Sequence, residues 1–280
     1  MKKPIGIRGI KKTRKRAITM IAILFLATIT VAADFVLLTT VDMRFTRAAE
    51  RGVINGWKIK DAEKNLRLAN QPNDTSFIDA EYDAVSEYEG VDFNSKKVSS
   101  YAEDYIGALK DCREVIKKYD PDKDFDAFWA HFSGPYGKRI KALYKLQNGR
   151  RQFDISQSGF EDERADLMLQ GWALNKAESI NFKTKTAKNG KRVYSAKIKN
   201  DSGYTLDYLD LTVELYDKNN KLIETDAAYA ENVKRNDMVE LKFYEAAPAR
   251  ATNYVITAVN CQRKSKNPSA EKIDRQSTLR

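Results

Sequence analysis

The spacing of apolar residues changes once along the chain, near residue 178. Before this point apolar side chains recur three or four residues apart, which is the period of a helix. After it they alternate with polar side chains, which is the period of a strand. We therefore predict an α+β protein, with a helical bundle at residues 98–177 and an antiparallel β domain at residues 178–262.

The most regular helical pattern begins at Ser100. Ser100 and Glu103 match the S-x-x-E capping box, in which each side chain accepts a hydrogen bond from a free backbone N–H. Asp120-Pro121 is expected to end this helix. The apolar residues on its predicted inner face are Tyr105, Leu109, Cys112, Ile116 and Tyr119.

Three further helices are predicted in the bundle. One begins near residue 124 and is expected to end at Ser133-Gly134-Pro135, because glycine and proline interrupt helices. The next runs from Tyr136 to Gly149, and the last covers about residues 160–176. Short connections between amphipathic helices favour antiparallel packing.

Residues 42–97 have a weaker helical pattern. Gly52 and Gly56 lower the helix propensity of residues 45–69, and the sequence QPND at 71–74 ends this stretch. A short helix is predicted at about residues 76–88. We interpret the whole region as a stalk with short helices.

The strand half begins with a strong hairpin signal, Asn189-Gly190, between two alternating runs. Leu209, Leu211, Val213 and Leu215 then occupy one face of a strand. About six short strands at a spacing of about ten residues predict an immunoglobulin-like antiparallel β-sandwich.

The net charge of +10 comes from the two ends of the chain. Residues 1–16 contain eight Lys and Arg and no acidic residue, and the polar, basic residues 263–280 are predicted to be a disordered tail. The region between these ends carries almost no net charge. The composition therefore does not indicate a nucleic-acid-binding face.

Residues 17–41 form an apolar segment that only Asp34 interrupts. The segment is long enough to cross a hydrocarbon layer of roughly 30 Å as a transmembrane anchor in the lipid bilayer. The alternative is a signal peptide that is cleaved near Ala33, after Val31-Ala32-Ala33. Both interpretations leave residues 1–16 in the cytoplasm and the chain from residue 42 outside it, membrane-bound or secreted.

Two features bear on an extracytoplasmic location. The two cysteines, Cys112 and Cys261, could form a disulfide between the two halves; the alternative is two separate thiols, at least one of them buried. The sequons at Asn73 and Asn200 are expected on the surface, where a glycosylating host could modify them.

The inventory of reactive residues argues against an enzyme. His131 is the single histidine and lies in an aromatic helical segment, and there is no C-x-x-C pair or glycine-rich phosphate loop. The acidic run from Asp120 does not match a calcium-binding EF-hand, which needs Gly and Glu where Phe125 and His131 stand. We predict no catalytic residue, no metal site and no cofactor.

One corner of the strand half matches a known signature. Val213-x-Leu215-Tyr216-Asp217 precedes a turn, and Lys242-Phe243 follows in a later strand. This stretch resembles the FxLYD family of small extracytoplasmic domains, found mostly in Gram-positive envelope proteins, with Val213 in place of the signature Phe. The resemblance implies a sandwich domain behind an N-terminal membrane anchor, and no enzymatic activity or ligand.

The residues of this corner are themselves typical of a hairpin. Asp217, Asn219 and Asn220 favour a turn, while Tyr216 is on the face opposite Val213 and Leu215. We therefore interpret Tyr216 and Asp217 as structural rather than reactive.

Together these observations predict an extracytoplasmic binding or structural module of the bacterial cell envelope. Its partner would be an envelope protein or a cell-wall polymer. The alternatives are an accessory protein for envelope assembly or sensing, which acts through protein contacts, and a hydrolase of cell-wall polymer. Two facing carboxylates in an open aromatic cleft would favour the hydrolase.

Overall fold

The computed structural model describes residues 40–66, 75–148, 159–246 and 250–264. Within these ranges the α+β class is confirmed. The helices are α1 (Val41–Leu66), α2 (Ser76–Val85), α3 (Lys96–Lys118), α4 (Phe125–Asn148) and α5 (Glu161–Ala177), with a 3₁₀ turn at Ser86–Tyr88. The strands are β1 (Lys183–Thr186), β2 (Arg192–Lys199), β3 (Leu206–Tyr216), β4 (Leu222–Val233), β5 (Met238–Glu245) and β6 (Asn253–Arg263).

The predicted membrane segment, residues 17–41, lies outside the described residues except for its last two positions. Of the helices in the described ranges, none combines the length and the apolar character that crossing a bilayer requires. The basic segment 1–16 and most of the tail 263–280 also lie outside the described residues.

Helix α1 belongs to the bundle, so the prediction of a stalk is wrong for this helix. Phe45, Ala49 and Val53 are buried in the helical core. The two glycines that weaken its helical pattern allow α2 to approach closely. A Cβ on Gly52 would lie 3.0 Å from the Cβ of Ala84, and one on Gly56 would lie 3.0 Å from the Cβ of Phe77.

Helix α3 begins four residues before the predicted capping box. Ser95 is its N-cap, and the backbone N–H groups of Asn94 and Ser95 donate to the buried Asp42 carboxylate at 2.8 and 3.1 Å. A side chain from α1 therefore stabilises the start of α3. Ser99, and not Ser100, binds Glu103, at 3.1 Å.

Helix α4 continues through Ser133-Gly134-Pro135, where the sequence predicted two helices. Proline removes one intrahelical hydrogen bond, which costs about 3 kcal/mol in a helix interior. Aromatic contacts on both sides of Pro135 compensate: the Tyr136 ring lies 5.5 Å from Phe132 and 6.3 Å from Trp129. Asp124 caps this helix by accepting a hydrogen bond of 2.9 Å from the N–H of Ala127.

The strands form two antiparallel three-stranded sheets, with the orders β1-β2-β5 and β4-β3-β6. Leu209, Leu211, Val213 and Leu215 of β3 are buried, as their alternation predicted, and they share one core with β2 and β5. The hairpin at Asn189-Gly190 is also confirmed: β1 and β2 pair antiparallel on either side of it, and Gly190 has a φ of 77°.

Helix α5 joins the two cores. Its Leu167 belongs to the helical core, whereas Leu169 and Trp172 belong to the core of the sheets. The Trp172 indole also donates a hydrogen bond of 2.7 Å to Asp201. The change from helix to strand falls between α5 and β1, as the sequence indicated. However, α5 contributes buried side chains to both the helical core and the core of the sheets.

Candidate functional site

A cleft of about 950 Å³ lies where α4, α5 and β6 meet. Its walls combine aromatic rings, charged groups and one sheet edge. Its lining includes Trp57, Trp129, Tyr136, Arg139, Glu163 and Asp166, together with residues 257–260 of β6. No cysteine and none of the hairpin residues Val213, Leu215, Tyr216 and Asp217 lines this cleft.

Two exposed aromatic rings lie along α4, and one of them, Trp129, lines the cleft. Phe125 and Trp129 are one helical turn apart, and their rings stack with centroids 6.1 Å apart. Both remain accessible: Phe125 is 50% and Trp129 45% exposed. Large rings that folding leaves in water are typical of a binding surface.

A buried ion pair supports the floor of the cleft. Arg139 is 2% and Glu81 1% exposed; Arg139 Nε donates to Glu81 Oε2 at 2.6 Å, and the Tyr105 hydroxyl donates to the same oxygen at 2.8 Å. The Arg139 guanidinium also lies against the rings of Phe77 and Tyr136, at 5.3 and 5.1 Å. Glu81 belongs to α2, Tyr105 to α3 and Arg139 to α4. These three helices are thus held together by a polar cluster inside an apolar core.

The surroundings of Arg139 keep its guanidinium charged. Burial disfavours the charged guanidinium, but the adjacent Glu81 carboxylate outweighs burial and raises the pKa of Arg139. Burial, reinforced by Glu81, raises the pKa of the Tyr105 hydroxyl well above its ordinary value. The Arg139 Nη1 has no hydrogen-bond partner among the described residues, and the two rings beside the guanidinium account for its placement.

Two carboxylates line the cleft, and both belong to α5. Asp166 accepts a hydrogen bond of 2.8 Å from Arg263 Nε. Glu163 has neither an ion pair nor a hydrogen bond to any described residue. Because the two are three residues apart on one helix, they lie on the same wall and do not face each other.

The lysines of the cleft are already compensated. Lys138 lies 3.7 Å from a carboxylate oxygen of Asp111, and Lys141 forms an ion pair with Glu178. Since Arg139 is bound to Glu81, the Glu163 carboxylate is the cleft charge without a counter-ion in the part of the chain that the structure describes.

The residues of the hairpin signature contribute to the sheet core and to the turn between β3 and β4. Val213 and Leu215 are fully buried, and the Asp217 carboxylate accepts hydrogen bonds from the N–H groups of Asn219 and Lys221 at 2.7 and 3.0 Å. These bonds lower the pKa of Asp217. Tyr216 donates to Glu214 on the same face of β3.

The cysteines lie in different cores, Cys112 among the helices and Cys261 between the sheets. Both are buried free thiols, and burial raises the pKa of each to about 12. His131 is exposed and stacks on Tyr119 with ring centroids 4.3 Å apart. Within the described ranges no group of three His, Cys, Asp or Glu could hold a metal ion.

Asn200 is not a surface sequon, contrary to the expectation from sequence. It is 1% exposed, and its Nδ2 group donates to the carbonyl oxygens of Tyr204, Val233 and Lys234 at 2.9, 3.2 and 3.0 Å. The nitrogen that glycosylation would modify is therefore occupied. The other sequon, at Asn73, lies outside the described residues.

Neither a family model, nor a curated protein, nor a solved structure matches this chain.

Proposed function

We propose that the protein is an extracytoplasmic binding module of the bacterial cell envelope, membrane-anchored through residues 17–41, and that the cleft between α4, α5 and β6 is its binding surface. The observation that carries this proposal is the exposed Trp129 in the wall of a large cleft, with the exposed Phe125 stacked on it. The basic segment 1–16 before an apolar segment supports the orientation, with the folded region outside the cytoplasm.

The strand half is, in this proposal, an immunoglobulin-like sandwich of the FxLYD type. Naming β1 to β6 as A, B, C, C′, E and F gives the sheets A-B-E and C′-C-F. This is the strand order of an immunoglobulin-like domain without its D and G strands. The support is topological and is independent of the signature at Val213–Asp217.

The module acts without catalysis. A glycosidase needs two carboxyl groups on opposite sides of the scissile bond. Glu163 and Asp166 share one wall of the cleft, and Asp166 is bound to Arg263. The same cleft would serve the alternative role, an accessory protein for envelope assembly or sensing, because that role also depends on binding.

Capture experiments with the purified protein test the proposal. Solubilised membrane proteins and cell-wall fragments would be offered separately to the wild type, to Trp129→Ala and to Tyr244→Ala. Tyr244 is 44% exposed but does not line the cleft, so it is a matched control. We expect a ligand that the wild type and Tyr244→Ala retain and Trp129→Ala loses. Equal retention by all three would refute the cleft as the binding surface.

The location is tested by fractionation. An anchored protein stays in the membrane pellet after an alkaline wash, because its apolar segment is held in the bilayer. Release of the whole pool into the medium would favour the signal peptide over the anchor.

A further inference from the structure

Strand β6 is an open sheet edge. It pairs with β3 on one side, and no described strand pairs with its other side. An unpaired edge presents a row of backbone donors and acceptors that another extended chain can bind. In the immunoglobulin-like naming, this is the position of the missing G strand.

The other edges of the two sheets are protected, including that of β4, which carries the charged side chains of Glu224, Asp226 and Glu231. Strand β1 has four residues and carries Lys183 and Lys185, a composition that discourages further pairing. The β5 edge is covered by acidic side chains of β4: Asp226 accepts from the N–H of Tyr244 at 2.8 Å, and Glu224 from that of Ala246 at 3.2 Å. Strand β6 has no such protection from residue 253 to residue 260, where it carries no charged side chain.

Helix α5 contacts the last part of this edge. Gln170 Nε2 donates a hydrogen bond of 2.8 Å to the Cys261 carbonyl, so the backbone groups of Cys261 point away from β3. By alternation, those of Val259 also point away from β3. A register shift opposite Thr212 and Val213 marks a bulge at Thr257, and residues 257–260 line the cleft. Bulges commonly occur beside binding sites.

The charge of the cleft specifies one side chain of the ligand. Glu163 has no counter-ion among the described residues, and the face of the Trp129 indole attracts cations. Both groups favour a lysine or arginine side chain in the cleft. An anionic or purely apolar ligand would leave the Glu163 charge uncompensated.

We propose that the cleft binds an extended peptide segment of a partner protein. The segment adds to β6 as a fourth strand of the sheet and places a basic side chain in the cleft beside Trp129 and Glu163. This inference rests on the proposed binding function of the cleft and identifies its ligand class. It distinguishes a peptide from a cell-wall glycan, which could stack on Trp129 but could not form a strand ladder with β6.

The probe is a synthetic library of acetylated, amidated nonapeptides with a fixed central lysine and a second library with a fixed central glutamate. The full protein is titrated with each library and then with the best single peptide. We expect binding from the lysine library and at least about tenfold weaker binding from the glutamate library.

Two backbone tests address strand addition directly. In the selected peptide, N-methyl groups on one set of alternate residues should weaken binding about tenfold or more, while those on the other set should have little effect, because only one edge of the peptide faces β6. In the protein, Val259→Pro removes an edge N–H and should weaken binding similarly. The methylated peptides leave the protein unchanged, so they decide the question even if Val259→Pro does not fold.

A charge exchange tests the role of Glu163. Glu163→Lys should bind the lysine peptide at least about tenfold more weakly than the wild type does, and should bind the glutamate peptide more tightly than the wild type does. Glu161→Lys is the matched control, since Glu161 is exposed in the same helical turn and does not line the cleft. It should bind as the wild type does.

The two proposals fail in different ways. If capture depends on Trp129 but no nonapeptide binds, the cleft is a binding site and the peptide inference is wrong. The same conclusion follows if cell-wall fragments bind and both methylated peptides behave alike. If Trp129→Ala changes neither capture nor peptide binding, the proposed function is wrong as well.

Discussion

Arg139 binds Glu81 through its Nε at 2.6 Å, and both side chains are excluded from solvent. The pair joins α2 to α4, and Tyr105 adds α3 by donating to the same carboxylate. Arg139 lines the cleft, whereas Glu81 and Tyr105 lie behind it. The shape of the cleft therefore depends on a polar contact in the interior of the bundle.

Removing one member of this pair should destabilise the protein strongly. Glu81→Gln leaves the Arg139 charge buried without a counter-ion, which costs about 3–5 kcal/mol of unfolding free energy. The double variant Glu81→Leu, Arg139→Met removes both charges and should lose less than the single variant. Urea denaturation followed by far-UV circular dichroism gives the free energy of unfolding of the wild type, of Glu81→Gln and of the double variant. A double variant as unstable as the single one would contradict this account.

Gly171 permits the contact between α5 and α4. A Cβ at this position would overlap the Cβ of Tyr144, so the helices would have to move apart. We expect Gly171→Ala to lower the free energy of unfolding by about 1–3 kcal/mol and to weaken binding in the cleft. Gly107→Ala in α3 is the control, because no atom lies within 4 Å of its added Cβ. It should raise stability by about 0.5–1 kcal/mol.

The strands could be predicted from the sequence better than the helices. The alternation of Leu209 to Leu215 and the turn at Asn189-Gly190 are local signals, and no distant contact opposes them. In the bundle, glycine and proline were interpreted as interruptions. At Gly52 the packing of the distant Ala84 decides instead, and beside Pro135 the Tyr136 ring packs against the distant Phe77, with ring centroids 6.3 Å apart.

The cleft could not be predicted, because it is made by elements that are distant in the sequence. Trp129 and residues 257–260 become neighbours only when α5 packs along β6. One signal was available: the run at residues 253–262 lacks any charged residue that would protect an edge strand. That signal indicates an open edge but does not locate the aromatic rings beside it.

Asn200 should be essential for the fold of the sheets. Asn200→Ala leaves the carbonyl groups of Tyr204, Val233 and Lys234 without their donor, and we expect a loss of at least about 2 kcal/mol. Asn200→Asp places a carboxylate against these carbonyl oxygens and should be less stable still at neutral pH. Thermal denaturation measures both. The exposed Asn189, which accepts one hydrogen bond from Lys191, is the control and should tolerate alanine better.

The thiols should react only after unfolding. Burial raises the pKa of Cys112 and of Cys261 to about 12, and the thiolate is the reactive form. In native protein without reductant, iodoacetamide should label neither residue; in urea without reductant it should label both. Mass spectrometry of the proteolytic peptides measures the labelling of Cys112 and of Cys261. If urea alone does not permit labelling, the two cysteines are bridged, as one of the two interpretations of the sequence held.

The Asp217 carboxylate makes the β3–β4 hairpin sensitive to acid. Hydrogen bonds from Lys221 and Asn219 lower its pKa in the folded protein relative to the unfolded chain. A group of this kind stabilises the fold at pH values above its unfolded pKa of about 4, and the contribution is lost as the pH falls through the lower folded pKa. Asparagine also favours a turn but carries no charge. Asp217→Asn should therefore be less stable than the wild type at pH 7, and the difference should shrink toward pH values of about 3. Urea denaturation across this range measures the difference, and a gap that stays constant or widens in acid would show that the carboxylate charge does not stabilise the turn.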